Sequence, residues 1–187
     1  TQEPSYRKYL AGGFPTPSGK VEFYSKRMLD YGYDPVPSFT EPSESYNSPP
    51  EVVSKYPHML TISARLIEYY HSQLRGIPSL QERIPEPMVE IHTSLAQELG
   101  VSHGDILDLE TRRGRIQVKA EVNEVTHPRI LQMIEGWSEA NMNILTDDEH
   151  LDPISGFPPL RSMLCRISKI HIGTQPALAT NKGCRIK

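Results

Sequence analysis

The sequence predicts a mainly β domain that carries a few short helices. Three observations predict it. Residues 106–122, "ILDLETRRGRIQVKAEV", alternate apolar and polar side chains at period two. The apolar runs "HMLTIS", "RILQMI" and "RSMLCRISKIHI" have strand length and border turn-forming or polar stretches. The 17 prolines and nine tyrosines among 187 residues favour a loop-rich β chain over a helical bundle.

Residues 1–56 read as an extended connector arm. In "GGFPTPSGKVEFYSKRML" a Gly/Pro turn cluster precedes a strand-like run, Val21–Tyr24, and then one helical turn. "DPVPSFTEPSESYNSPPEVVSKYP" is rich in Pro, Ser and Glu, a composition that lies extended over a surface. Such an arm packs on something, and that partner is expected outside this chain. The domain proper is expected over residues 57–172, with a loose tail at 173–187.

Within the domain, "HMLTIS" is a buried strand leading into a polar loop. In "HTSLAQELG", Thr93 or Ser94 is expected to cap a short helix, and Ser94 has capping-box spacing to Gln97. Leu95 and Leu99 share a face, and Gly100 supplies the left-handed stop. The hairpin that follows turns at Arg113-Gly114, buries Leu107, Leu109, Ile116, Val118, Ala120 and Val122, and sets the charges of "RRGRIQVK" on the wet face. A strand over "RILQMI" leads into the polar stretch 135–160, and a last strand alternates through Met163, Cys165 and Ile167.

Net charge is −3, from 20 basic and 23 acidic residues. That balance gives no electrostatic reason for nucleic acid or an anionic membrane as partner. The two cysteines, Cys165 and Cys184, form no CxxC motif, and no Cys/His group has zinc spacing. No iron–sulfur cluster or metal site made by this chain alone is expected, and Cys165 reads as a core thiol. No apolar run has the length of a transmembrane helix. The first residues lack a hydrophobic signal region and do not begin with Met, so the sequence reads as a piece of a longer protein.

Two long loops follow apolar runs, and such loops commonly carry function. In "EYYHSQLRGIP", His71 beside Ser72 suggests a catalytic pair. Neighbouring side chains of an extended segment point to opposite faces, and neither a G-x-S-x-G elbow nor an acidic orienting group accompanies them. The same loop, with Thr61, Ser63, Arg65, His71 and Ser72, offers the hydroxyls, guanidinium and backbone N–H groups that a phosphate needs. A polar surface loop has the same composition. Asn141 and Asn143 have amides suited to a heterocycle edge, although Asn turns are the commoner use. The acidic run Asp147–Glu149 lacks EF-hand spacing and reads as solvated.

An ordered set of segments carries a resemblance across nearly the whole chain. They are "TPSGKVEFYS", "LTISARLIEYYHSQLRGIPSL", "PMVEIHTSLAQELGVSHGDILDLETRRGRIQVKAEV", "EGW", "ANMNILTDD" and "DPISGFPPLRSMLCRI". In this order the chain resembles the C-terminal domain of catalytic subunits in the DMSO reductase family of molybdenum or tungsten oxidoreductases. "IEYYHSQLRGIPSL" is most similar to the thiosulfate/polysulfide reductase and acetylene hydratase-like branch.

The resemblance implies a six-stranded double-psi β-barrel closing over a bis-molybdopterin guanine dinucleotide cofactor. Thr61, Ser63, Arg65, His71 and Ser72 would contact its pyrophosphate and pterin. Trp137 and the Asn141–Thr146 segment, with Asn143, would line it, and Arg161 would stand near it. The metal ligand and the family's iron–sulfur cluster would belong to missing domains, which are the implied partners. Iron–sulfur electron-transfer and membrane-anchor subunits would join them in the parent complex. The chain alone would be catalytically silent, and its compartment, exported or cytoplasmic, would be set outside it. A cofactor-free double-psi barrel acting as a binding module is the alternative.

Overall fold

The computed structural model describes residues 6–62 and 65–170. Ser63, Cys184 and the expected tail therefore lie outside the described residues. The chain divides into two compact units, Thr1–Glu41 and Pro42–Lys187.

The first unit holds two short helices, α1 (Tyr9–Gly12) and α2 (Lys26–Asp30). Ser25 caps α2 by accepting the Met28 N–H at 3.2 Å, and Lys26 pairs with Asp30 one turn on at 2.7 Å. The run Val21–Tyr24, expected as a strand, has no ladder partner and only bends into α2. Three apolar residues and a glutamate give too little to pair when no described strand lies alongside. Tyr6, Leu10, Phe23 and Phe39 are each more than 80% exposed, so this unit has almost no core of its own.

The second unit opens with α3 (Pro50–Lys55), which starts on a proline as helices favour. Strands β1 (His58–Ile62), β2 (Met88–His92), β3 (Ile106–Thr111), β4 (Arg115–Asn123), β5 (Ile130–Met133) and β6 (Met163–Lys169) follow. Between them lie α4 (Pro78–Gln81), α5 (Thr93–Leu99) and a 3₁₀ turn at Met142–Ile144. The strands close into a barrel in the order β1-β5-β2-β4-β3-β6. β1 runs parallel to β5 and β2 to β4, and every other pairing is antiparallel. Exchanging β1, β2, β3 with β4, β5, β6 leaves this set of neighbours unchanged. That internal two-fold relation is the double-psi order.

Alternation along the strands fills the barrel. Leu60, Val89, Ile91, Leu107, Leu109, Ala120, Leu131, Met133 and Cys165 are fully enclosed, while Ile106 and Arg166 face out. Burial pushes the Cys165 thiol far up, so it packs as an inert apolar group. α5 lays Leu95 and Ala96 against the core and stops at Gly100 in the left-handed region. Its cap is neither Thr93 nor Ser94. β2 runs straight into α5, so the last strand residue, His92, takes the capping place, and its Nδ1 accepts the Ser94 N–H at 3.1 Å.

The strand directions put three connections at one end of the barrel: β1–β2, the β3–β4 turn and β5–β6. A buried charge network locks the last two of them to the segment before α3. Glu44 is 1% exposed. Its Oε2 accepts the Leu164 N–H at 2.7 Å and its other oxygen pairs with Arg113. Arg113 also pairs with Asp147, itself 1% exposed. The expectation of wet-face charge therefore fails at Arg113, and the expectation of a solvated acidic run fails at Asp147. Arg113 sits in the turn rather than a ladder, so it is free to point under the β5–β6 connection. Burial pushes the Asp147 carboxyl up. The Glu149 and His150 amides, the His150 ring and the Arg113 guanidinium outweigh that and hold it below the usual range. Gly114 makes the close approach possible, since a Cβ there would lie 2.6 Å from the Ile144 carbonyl oxygen.

Removing Arg113 takes from two buried carboxylates the guanidinium they share, leaving Glu44 with the Leu164 N–H and Arg112 and Asp147 with the Glu149 and His150 groups. Arg113→Met is expected to cost about 3–5 kcal/mol in urea unfolding at neutral pH. Asp147 stabilises the fold above its unfolded pKa of about 3.9, and that contribution is lost as pH falls through its lowered folded value. The deficit of Arg113→Met should therefore shrink below about pH 4, where Asp147 takes up a proton. A loss under about 1 kcal/mol at neutral pH would mean the network is only a surface pair.

Candidate functional site

The β1–β2 and β5–β6 connections leave adjacent strand ends, since Ile62 stands beside Met133 in the parallel β1–β5 pair. Their side chains meet at His71 and Glu135. The imidazole Nδ1 of His71 is hydrogen-bonded to the Glu135 carboxylate, and its Nε2 lies 3.2 Å from Arg65 Nη1. The backbones are as close as the side chains. Gly136 has φ +90°, and a Cβ there would fall 2.6 Å from the His71 carbonyl carbon and oxygen. His71 itself sits in the left-handed region at φ 53°, an uncommon place for a side-chain-bearing residue.

Arg75 bolts the same junction. Its Nη2 donates to the carbonyl oxygens of His71 at 3.1 Å and Glu135 at 3.0 Å. Its guanidinium carbon lies 3.7 Å from the Trp137 ring centre and 4.3 Å from that of Tyr69. Burial pulls the Arg75 guanidinium below its ordinary value, yet an arginine there stays charged. Its Nε and Nη1 are buried and have no hydrogen-bond partner among the described residues.

This junction separates two clefts. One, of about 490 Å³, is lined by Arg65, His71, Glu135, Phe157 and Arg161 among others. It joins two guanidiniums and an imidazole from two loops. The other, of about 560 Å³, is lined by Tyr69, Ser72, Arg75, Gly136, Trp137 and Asn141 among others. A third recess of about 320 Å³ lies over the outer wall, with Glu90, Glu121, Met88 and Trp137. Burial and the Glu121 charge push the Glu90 carboxyl up.

The ten sequence-named residues distribute unevenly. Arg65, His71 and Arg161 share the first cleft; Ser72, Trp137 and Asn141 share the second. Thr61 lies in β1 between the inward Leu60 and Ile62, so it stands on the wall rather than in either cleft. Asn141 accepts the Asn143 N–H at 3.1 Å and Thr146 donates to the Asn143 carbonyl at 3.0 Å, so the Asn141 oxygen and the Thr146 hydroxyl hold the turn. Ser63 lies outside the described residues. Sequence reasoning missed Arg75 and Glu135. Glu135 sits 64 residues from its imidazole partner, and no local spacing announces such a pair. Two carboxylates and an imidazole in the β5–β6 connection, Asp147, Glu149 and His150, have ligand atoms within 4.8 Å of one another. Arg113 already neutralises Asp147 there.

A family model described as "Molydopterin dinucleotide binding domain" matches residues 59–164. The chain belongs to this molybdopterin-dinucleotide-binding family. The match spans β1 into β6 and includes both clefts. Acetylene hydratase from Syntrophotalea acetylenica is 32% identical over 176 residues, 84% of this chain and 24% of that protein. Dopamine dehydroxylase from Eggerthella lenta is 31% identical over 173 residues, 84% of this chain and 17% of its own length. The solved structure "Acetylene Hydratase from Pelobacter acetylenicus" superimposes with a TM-score of 0.75 at 28% identity, over 91% of this chain and 26% of that one. The molybdopterin-binding domain thus spans about a quarter or less of these relatives.

Gly136→Ala tests the junction. Both the positive φ and the overlap with His71 oppose a methyl group, so a loss of about 1–3 kcal/mol is expected. Trp137 is the one tryptophan of the chain, and its emission should shift to longer wavelength as the Arg75 stack loosens. An unchanged spectrum and melting temperature would contradict the close packing.

Proposed function

We propose that this domain works inside a larger molybdenum or tungsten oxidoreductase, where its one-end clefts hold the phosphate and pterin parts of a molybdopterin guanine dinucleotide. The observation that carries this reading is the convergence of Arg65, His71 and Arg161 on one open cleft from two separate loops. Each charge-assisted hydrogen bond from such a group to a phosphate contributes about 1.5–3 kcal/mol.

The residues present fit that ligand. Gly136 lets two loop backbones touch, and Arg75 keeps two unsatisfied donors beside the second cleft. Trp137 and Tyr69 offer flat surfaces there. The bound group would supply the redox chemistry through its metal. This chain would bind, orient and shield it, and would be silent alone. Asn141, Asn143, Thr146 and Ser72 would complete the lining together with the rest of the polypeptide.

The bis form of the cofactor, the metal's own ligand and an iron–sulfur cluster would be completed by the parent's other domains. Those domains are also the natural cover for Tyr6, Leu10, Phe23 and Phe39, whose exposure is otherwise costly. Subunits for electron transfer and membrane anchoring would join at the level of the parent complex.

The test is cofactor content of the full-length parent, read as molybdenum or tungsten by mass spectrometry and as pterin by oxidation to a fluorescent product. Arg65→Ala and Arg161→Ala should each lower content about tenfold under limiting cofactor, the equivalent of one lost charged hydrogen bond. Arg115→Ala, on the outer wall beside Asp108, should leave it unchanged. A parent that carries neither metal nor pterin would sink the proposal.

A further inference from the structure

Which part of a ligand meets His71 follows from the hydrogen bonds its ring already makes. A carboxylate only accepts and a guanidinium only donates. His71 faces Glu135 through Nδ1 and Arg65 through Nε2. The neutral ring therefore carries its proton on Nδ1 and a lone pair on Nε2. Both residues are half-exposed at the cleft, with side chains 41% and 31% accessible, so a ligand can reach them.

The arrangement is held from more than one side. Arg75 ties the His71 and Glu135 carbonyls to one nitrogen, and Gly136 seats one loop on the other. With the backbones so held, rotating the imidazole to present Nδ1 to the cleft would break the Glu135 bond and leave Arg65 facing carbon.

We propose that Glu135 is the positioning residue of the first cleft. It fixes His71 as the Nδ1–H tautomer, so that Nε2 accepts from an N–H on the ligand's heterocycle, while the phosphates go to Arg65 and Arg161. This rests on the function proposed above and divides its ligand between the two kinds of side chain. A phosphate oxygen brings no proton to a lone pair and is repelled there. A phosphate that draws Arg65 towards itself also uncovers Nε2 for a donor. The nitrogen-rich edge of a pterin carries such donors.

The experiment uses the chain with ¹⁵N-labelled histidine and arginine, near pH 8.5, about two units above the ordinary imidazole pKa. Long-range proton–nitrogen spectra should show His71 protonated at Nδ1 and bare at Nε2. Glu135→Leu, which removes the acceptor for Nδ1–H, should lose this fixed tautomer while its melting temperature stays within a few degrees, because the side chain is part-exposed. Free pterin should then shift Nε2 in the unaltered chain, and at least about fivefold more weakly in Glu135→Leu, the loss of about one neutral hydrogen bond. Pyrophosphate should shift the Arg65 and Arg161 nitrogens and spare Nε2.

An Nε2–H tautomer in the unaltered chain would overturn the inference, as would an unchanged tautomer in Glu135→Leu. So would an Nε2 that ignores pterin up to its solubility, or one that answers pyrophosphate equally. A parent that contains metal and pterin alongside any of these results leaves the function standing and removes only the role of Glu135. A parent without cofactor fails the function itself, whatever the tautomer.

Discussion

The parallel pairing of β1 with β5 is the constraint on which the site depends. It sets Ile62 beside Met133, so the two long connections leave the barrel side by side and in the same direction. Had these strands run antiparallel, the loop bearing His71 and the loop bearing Glu135 would start from opposite ends. Parallel neighbours need a crossover between them, and here the intervening β2, β3 and β4 provide it. The closed ladder therefore does more than bury a core. It brings residues 64 apart in sequence to hydrogen-bond distance.

Two devices at that end convert adjacency into fixed geometry. One is ionic: Glu44, Arg113 and Asp147 tie the segment before α3 to the β3–β4 turn and the β5–β6 connection. The charges are buried, so their value lies in specifying one arrangement, and their removal one at a time is what costs. The other is steric. Gly114 against Ile144 and Gly136 against His71 are approaches that no other residue permits. Rigid loops on a rigid barrel suit a site whose work is holding a large ligand.

Much of the barrel was legible in the sequence because period two is a direct image of a strand with one face buried. Leu107, Leu109, Ile116, Val118 and Ala120 read correctly for that reason. Val21–Tyr24 had the composition of a strand without a neighbour to pair with. Arg113 and Asp147 looked like solvated charges because their burial depends on each other and on Glu44, more than 65 residues from Arg113. The same limit applies at the site. Arg65, His71 and Arg161 were named through a family resemblance in ordered motifs, and the structure gathers these three in one cleft. Arg75 and Glu135 were not, since their roles arise only once two distant loops share a strand pair.

The central claim is that the two loops sent out by β1 and β5 form the cofactor-holding face of this domain. A structure of the full-length parent with its cofactor bound tests it most directly. The account predicts cofactor phosphate oxygens within hydrogen-bond distance of Arg65 and Arg161, with the heterocycle against the His71–Glu135 junction. A cofactor lying elsewhere, with this cleft filled by side chains of another domain, would contradict it.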